Sequence, residues 1–167
     1  MQRSNATTVF LVIVIGAAAF VWFTSLGLPP RVASHFGAAG LANGFMPRDF
    51  YVRFMLGFVV VLPSVLVLLP AAGLRHPRAR INLPNRDYWL APARRTATVV
   101  ALRAHMAYVG CLLAIFLCYV HWLVVRANAL APPHLSMPWF FGGLAAFAIA
   151  TVAWALLLIR HFRNVPR

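Results

Sequence analysis

The chain contains no lysine and no glutamate, and its only acidic residues are Asp49 and Asp87. Both aspartates lie outside the long apolar runs, so these runs hold no carboxylate of the kind that coupled transporters use inside a membrane. The sequence therefore argues against a carboxylate-driven pump. It also argues against a nucleophilic triad, because Ser34 and His35 have no acid nearby except Asp49.

Recognisable motifs for catalysis and metal binding are missing as well. No GxSxG, HxxxH or HExxH spacing occurs anywhere in the chain, although these spacings are typical of hydrolases and zinc enzymes. We therefore predict that the protein is not an enzyme. We expect no catalytic residue, no metal site and no cofactor.

Six histidines remain as candidate ligands for a metal or for haem. Either of two trios would form a metal site if its members converged, but they come from separate segments with no glutamate to orient them. His105 and His121 cannot share one haem iron, because they lie roughly 24 Å apart along one helix. Haem or redox chemistry and transport are kept as lesser alternatives. The trios are His35, His121 and His134 toward the outside, and His76, His105 and His161 toward the cytoplasm.

The sequence has two cysteines, Cys111 and Cys118. They lie two turns apart on one predicted helix, roughly 10 Å, which is too far for a disulfide. We interpret both as small apolar residues.

What the chain has in abundance is apolar sequence. Hydrophobic residues make up 62% of its 167 residues and charged residues 10%, against about 45–50% and about 25% in soluble domains. Four runs reach the length of about twenty residues that a spanning helix needs. The sequence therefore predicts an all-α integral membrane protein, a single membrane domain over residues 1–167. The predicted spans are 9–28, 54–74, 105–125 and 140–159, with an outer loop at 29–50 and a basic cytoplasmic segment at 75–97.

The fifteen arginines predict the orientation of these spans. Eleven fall on one side and four on the other, and cytoplasmic loops collect the excess of positive charge. We therefore expect both termini in the cytoplasm and a multi-pass protein of a bacterial inner membrane. The expected partners are lipids with anionic headgroups rather than nucleic acid. The larger set is Arg3, Arg75, Arg78, Arg80, Arg86, Arg94, Arg95, Arg103, Arg160, Arg163 and Arg167; the smaller is Arg31, Arg48, Arg53 and Arg126.

The outer loop mixes proline, glycine, histidine, asparagine and aromatic residues in an order that neither a linker nor a helix explains. Gly37, Gly40 and Gly44 allow turns with positive φ. We expect the candidate ligand-binding residues here, and they are His35, Phe36, Asn43 and Arg48. The ordered residues of the loop are Leu28-Pro29, Val32, His35-Phe36, Gly40, Asn43-Gly44-Phe45 and Pro47-Arg48.

This order resembles the "LP, then HF, then G, then DG, then K" pattern of a bacterial membrane family, the domain of unknown function numbered sixteen forty-eight. The resemblance covers roughly residues 10–70. The family includes the N-terminal part of the membrane immunity protein against the sporulation-delaying toxin, so the resemblance implies a membrane protein that binds a peptide toxin or signal. The chain departs from the pattern at Ala33 for proline, Gly37 for asparagine, Asn43 for aspartate and Arg48 for lysine.

A second segment, from Asn82 to Pro92, resembles a stretch of shorter members of the same family. We expect its two prolines to hold it extended, Asp87 to cap or to pair with a neighbouring arginine, and Tyr88 and Trp89 to lie among lipid headgroups. The interfacial strip is Asn85, Arg86, Asp87, Tyr88 and Trp89, ahead of a helix that opens at Ala93-Arg94-Arg95.

The leading hypothesis is a binding, sensing or immunity protein that recognises an external peptide or small ligand through the His35-Phe36 loop. The alternative is a structural or assembly subunit that packs a small-residue face, Gly142-Gly143 with Ala145-Ala146, against another membrane protein or a second copy of the chain.

Overall fold

The computed structural model describes residues 3–74, 76 and 81–165, with side chains from residue 5 onward. In this part of the chain, four helices are long and apolar enough to cross a membrane. The prediction of a four-span membrane protein is therefore confirmed. The elements in chain order are α1 (Arg3–Ser25), β1 (Arg31–Phe36), β2 (Ala42–Pro47), α2 (Arg48–Gly73), α3 (Arg86–Trp89), α4 (Pro92–Asn128) and α5 (Met137–Arg163).

The outer loop is the main departure from the predicted all-α architecture. Residues 31–47 form a two-stranded antiparallel hairpin of β1 and β2, and α2 begins at Arg48, so the connection ends earlier than residue 50. The predicted outer loop at 29–50 therefore contains a small sheet. The sequence pattern did not indicate these strands, because a bulge after Ala33 interrupts the register and with it the alternation of side chains between the two faces.

The interfacial strip also differs from its prediction. Arg86 to Trp89 form one turn of helix rather than an extended segment, and Asn85 precedes that turn with a φ of 50°. Asparagine tolerates this left-handed conformation better than most residues. Pro92 then occupies the first turn of α4, where its missing N–H costs nothing, so the helix opens one residue before the predicted Ala93.

Three helices form the packed core, because α1 lies against both α2 and α4. Their shared cluster includes Val21, Tyr51, Val59 and Leu117. Helix α5 packs mainly against α4, and none of its most apolar stretch is buried within the chain. Most of its apolar surface is therefore left to lipid or to another protein.

The bundle has two chemically different ends. The hairpin end carries β1, β2 and the α4–α5 connection, and it holds Arg31, Arg48, Arg53 and Arg126. The strip end carries α3, where the Asn85 side chain donates to the Phe162 and Arg163 carbonyls at the end of α5. Four arginines of the predicted cytoplasmic set, Arg75, Arg78, Arg80 and Arg167, lie outside the described residues.

Candidate functional site

The hairpin is built from a regular ladder near the helices and an irregular tip. Arg31 pairs with Pro47, Val32 with Met46 and Ala33 with Phe45, after which two register shifts follow. The Arg48 N–H donates to the Pro30 carbonyl at 2.9 Å. These pairs hold the base of the hairpin at the entrance to α2.

The tip of the hairpin turns at Gly37 to Leu41. The Gly40 N–H donates to the Gly37 carbonyl at 2.8 Å, and the Gly37 N–H donates to the Leu41 carbonyl at 2.9 Å. Gly40 has a φ of 82°, which side-chain-bearing residues rarely adopt. A Cβ at this position would also collide with the Leu135 carbonyl, so only glycine fits.

The α4–α5 connection holds this tip in place. The Leu135 N–H donates to the Gly40 carbonyl at 2.8 Å and the Ala42 N–H to the Pro133 carbonyl at 3.3 Å. His134 Nε2 lies 3.1 Å from the Ala39 carbonyl oxygen, which it approaches as a donor. The hairpin is therefore bonded to the bundle at its tip as well as at its base.

Asn128, near the end of α4, closes the outer edge of β1. Its Oδ1 accepts from the Ala33 N–H at 2.8 Å, and its Nδ2 donates to the Ala33 carbonyl at 2.9 Å. One amide side chain thus takes both backbone groups of Ala33, as a neighbouring strand would. The same Nδ2 also donates to the Val124 carbonyl at 2.9 Å, which fixes the orientation of the amide.

Beyond Ala42, which is bonded to Pro133 of the α4–α5 connection, the outer edge of β2 is open at Phe45. In an antiparallel ladder, pairs that exchange hydrogen bonds alternate with pairs that do not. Because the backbone groups of Ala33 point to Asn128, its partner Phe45 must also point its N–H and carbonyl away from β1. Within the described residues no acceptor or donor meets them, so Phe45 presents a free pair of strand-edge groups.

Side chains around this edge are exposed and mixed in character. Phe45 is 46% exposed and Leu41 52% exposed, and the Arg31 guanidinium lies 5.9 Å from the centre of the Phe45 ring. Aromatic residues and arginine are both enriched at protein–protein interfaces relative to the rest of the surface.

The structure brings together only two of the four predicted ligand-binding residues. His35 Nδ1 and Asn43 Oδ1 are 2.5 Å apart across the hairpin, and both side chains are exposed. Phe36 is half-buried and packs into two core clusters. Arg48 lies at the start of α2, where its guanidinium contacts the Leu28 carbonyl at 3.4 Å and Asp49 at 3.9 Å.

Beneath the hairpin lies a buried polar chain that the sequence did not predict. His121 is fully buried in α4 between Tyr51 of α2 and Thr24 of α1. The Thr24 hydroxyl donates to the Phe20 carbonyl at 2.6 Å, so its oxygen accepts from His121 Nε2–H at 2.8 Å. His121 Nδ1 then accepts from the Tyr51 hydroxyl at 2.8 Å. With a neutral imidazole, each donor and acceptor in this chain of hydrogen bonds therefore has a partner.

At the strip end, the aromatic side chains pack against one another and against the end of α5. Trp89 Nε1 donates to the Phe162 carbonyl at 2.8 Å, and the Arg94 guanidinium lies 4.0 Å from the centre of the Tyr88 ring. Among the residues described, Asp87 forms no ion pair. The expected Asp87–arginine contact is therefore wrong, because Arg94 is placed over Tyr88 instead.

The histidines do not converge into a ligand set. His35, His121 and His134 each have different partners, while His105 and His161 have ring centres 6.4 Å apart. In the described ranges, no three His, Cys, Asp or Glu side chains are grouped so that they could hold a metal ion.

Comparison with known proteins adds no relative: no family model, curated protein or solved structure matches the chain. The resemblance of the hairpin sequence to a membrane family of unknown function therefore stays a prediction.

Proposed function

We propose that this multi-pass membrane protein is a binding protein of the sensing or immunity type that captures an extended external peptide on the free edge of β2. The observation that carries the proposal is the contrast between the two hairpin edges. Asn128 occupies the edge of β1, whereas the Phe45 N–H and carbonyl point away from the hairpin without a partner among the described residues. Peptides commonly bind by adding a strand to such an edge.

The hairpin also has the rigidity that strand addition favours. Hydrogen bonds from Asn128, Leu135 and Ala42 fix it to α4 and to the α4–α5 connection, so little conformational entropy is lost when a ligand binds. Pro47 has no N–H to offer further along the edge. At the other end of the strand, the Ala42 N–H already donates to the Pro133 carbonyl. Pairing is therefore limited to the stretch from Asn43 to Phe45, beside His35 and Arg31.

The proposal is tested with a pair of substitutions at one position. Phe45→Pro removes the outward N–H but no hydrogen bond of the hairpin, because that N–H does not point to β1. Phe45→Ala removes the ring and keeps the N–H. Each variant is expressed in a deletion strain, and survival is scored against fractions of peptides secreted by related cells.

We expect wild-type protein to protect the strain and Phe45→Pro to lose that protection at an unchanged protein level. Phe45→Ala should retain part of it, since strand-edge hydrogen bonds remain. Equal protection by wild type and Phe45→Pro would contradict strand addition. A deletion strain as resistant as its parent to every fraction would contradict the immunity role.

A second candidate function, an assembly subunit, is favoured by helix α5. Its most apolar stretch is unburied, and Gly142 has open space beside it, whereas Gly143 is already used within the chain against the Tyr119 ring. Gly142→Leu should weaken assembly with a neighbouring membrane protein and leave a monomer intact. Size analysis after gentle detergent extraction checks this, and a wild-type chain found only as a monomer would contradict it.

A further inference from the structure

A cavity of about 280 Å³ lies where the end of α1 meets the start of α2. It is separate from the β2 edge, and its wall combines charged and apolar groups. The residues that line it are Trp22, Ser25, Leu26, Arg48, Asp49, Val52 and Arg53. Two guanidinium groups against one carboxylate give this wall a net positive charge.

Ser25 supplies a buried polar group without a partner. The residue is 2% exposed, and in the described part of the chain its hydroxyl has no hydrogen-bond partner. A buried hydroxyl left without a partner destabilises the protein, so such groups are normally paired. Its place in the wall of the cavity makes a ligand occupying that cavity the natural partner.

The arginines also retain unused donors. Arg48 reaches the Leu28 carbonyl only at 3.4 Å and Asp49 only at 3.9 Å, both longer than a strong charge-assisted hydrogen bond. The Asp49 side chain is 82% exposed, so solvent screens its negative charge. Arg53 is exposed one turn further along α2.

The start of α2 adds a favourable field for an anion. Pro47 provides no side-chain cap, and the first amides of a helix carry a partial positive charge. The opposing carbonyls at the end of α1 are partly occupied, since the Leu28 N–H donates to Ser25 at 3.1 Å and the Leu26 N–H to Phe23 at 3.3 Å. The electrostatic potential at the cavity is therefore positive.

We propose that this cavity binds a phosphate group, with Arg48, Arg53 and the Ser25 hydroxyl as donors. A phosphodiester offers several acceptor oxygens, and guanidinium groups bind phosphate in a fixed forked geometry. Trp22 and Leu26, both more than half exposed, provide an apolar margin on the membrane side. This margin suits the glycerol and upper acyl chains of a phospholipid.

The test measures lipid retention by the purified full-length protein in a neutral detergent, using native mass spectrometry. Phosphatidylglycerol is titrated in parallel with a diacylglycerol of the same chains, which lacks the phosphate. The variants are Arg53→Gln and Ser25→Ala. Arg126→Gln serves as the matched control, because Arg126 lies at the same end of the bundle but not in this cavity.

We expect Arg53→Gln and Ser25→Ala each to lower phosphatidylglycerol retention about tenfold, a typical loss for one charge-assisted or buried hydrogen bond. Arg126→Gln and Phe45→Pro should retain the lipid as wild type does, which keeps this site distinct from the β2 edge. If millimolar inorganic phosphate displaces phosphatidylglycerol, the ligand is a free phosphate. If the lipid stays bound in the presence of inorganic phosphate, the ligand is the lipid headgroup.

Two results would overturn the proposal. One is retention of diacylglycerol as strongly as phosphatidylglycerol, which would show that only acyl chains bind. The other is wild-type retention of phosphatidylglycerol by both cavity variants. Removing an unsatisfied hydroxyl should not lower the melting temperature of the lipid-free protein. A loss of lipid by Ser25→Ala at an unchanged melting temperature therefore cannot be explained by misfolding.

Discussion

Single residues couple the outer region to the membrane core. His121 joins three helices through side chains whose donors and acceptors match completely, from the Tyr51 hydroxyl to the Phe20 carbonyl. Polar residues facing a bundle interior are expensive unless they are paired. The pairing therefore fixes the relative positions of α1, α2 and α4 directly beneath the hairpin.

Tyr51→Phe should destabilise the bundle by about 1 kcal/mol, a typical value for one hydrogen bond between membrane helices. The reason is that His121 Nδ1 loses its donor while the aromatic stacking remains. Thermal unfolding in detergent measures the change. Tyr108→Phe is the control, because the Tyr108 side chain is exposed on α4; equal stability of the two variants would contradict the role of the buried chain.

Gly40 offers a sharper contrast within the hairpin tip. Gly40→Ala should destabilise the tip by about 1–3 kcal/mol, because the residue has a positive φ and a Cβ would meet the Leu135 carbonyl. Gly37→Ala is the matched control, with its nearest neighbour at an ordinary 3.5 Å. Limited proteolysis of residues 37–42 reports the loss, and similar cleavage of the two variants would refute it.

Residue types pointed to the segment that forms the hairpin, but they did not give the geometry of the candidate site. His35 and Asn43 were both predicted as ligand-binding residues, yet their contact depends on a register that a bulge shifts. Phe45 and Asn128 were missed for different reasons. Phe45 is important for its backbone N–H and carbonyl, which residue type does not reveal. Asn128 is important for its hydrogen bonds to Ala33, which lies 95 residues away in the chain. No local pattern reports such a pairing.

At the scale of elements, the hairpin behaves as part of the bundle rather than as a mobile loop. An isolated two-stranded hairpin is marginally stable in water, and this one gains stability from Asn128, from the α4–α5 connection and from Phe36 packed into the core. Of the three glycines expected to allow turns with positive φ, Gly40 has such a φ, whereas Gly37 does not and Gly44 lies within β2. They did not predict that β1 would be covered and β2 left open.

Asn128→Ala should loosen β1 without unfolding the helices. It leaves the Ala33 N–H and carbonyl without their partners, at a cost of about 1–3 kcal/mol, and hydrogen exchange over residues 31–36 should accelerate. Thr151→Ala is the control, because the Thr151 hydroxyl bonds only within α5, to Phe147. Unchanged exchange in Asn128→Ala would mean that Asn128 does not hold the strand.

At the scale of the whole molecule, hydropathy alone was sufficient to predict four spans. The number of spans depends on the transfer of long apolar segments into lipid and little on local structure. The predicted number was therefore correct although the observed helix bounds differ from the predicted ones. Helix α4 has 37 residues, about 55 Å of helix, and exceeds a hydrocarbon core of about 30 Å. Its first turns therefore project at the strip end, beyond the predicted span 105–125.

The predicted orientation is checked by labelling with a membrane-impermeant maleimide. In a background with Cys111 and Cys118 replaced by alanine, Ala38→Cys at the hairpin tip should react in intact cells. Asn82→Cys, at the strip end, should react only after the cells are opened, because the arginine distribution predicts that this end is cytoplasmic. The reverse pattern of labelling would contradict the orientation.

Whether the β2 edge is free can be measured by residue-resolved amide hydrogen exchange, using NMR of the full-length protein in lipid nanodiscs. The open-edge account predicts a protected Ala33 N–H, bonded to Asn128, and a rapidly exchanging Phe45 N–H directly across the hairpin. Met46, which exchanges hydrogen bonds with Val32, should also be protected. Protection of Phe45 equal to that of Ala33 and Met46 would show that the β2 edge is already occupied and would contradict the account.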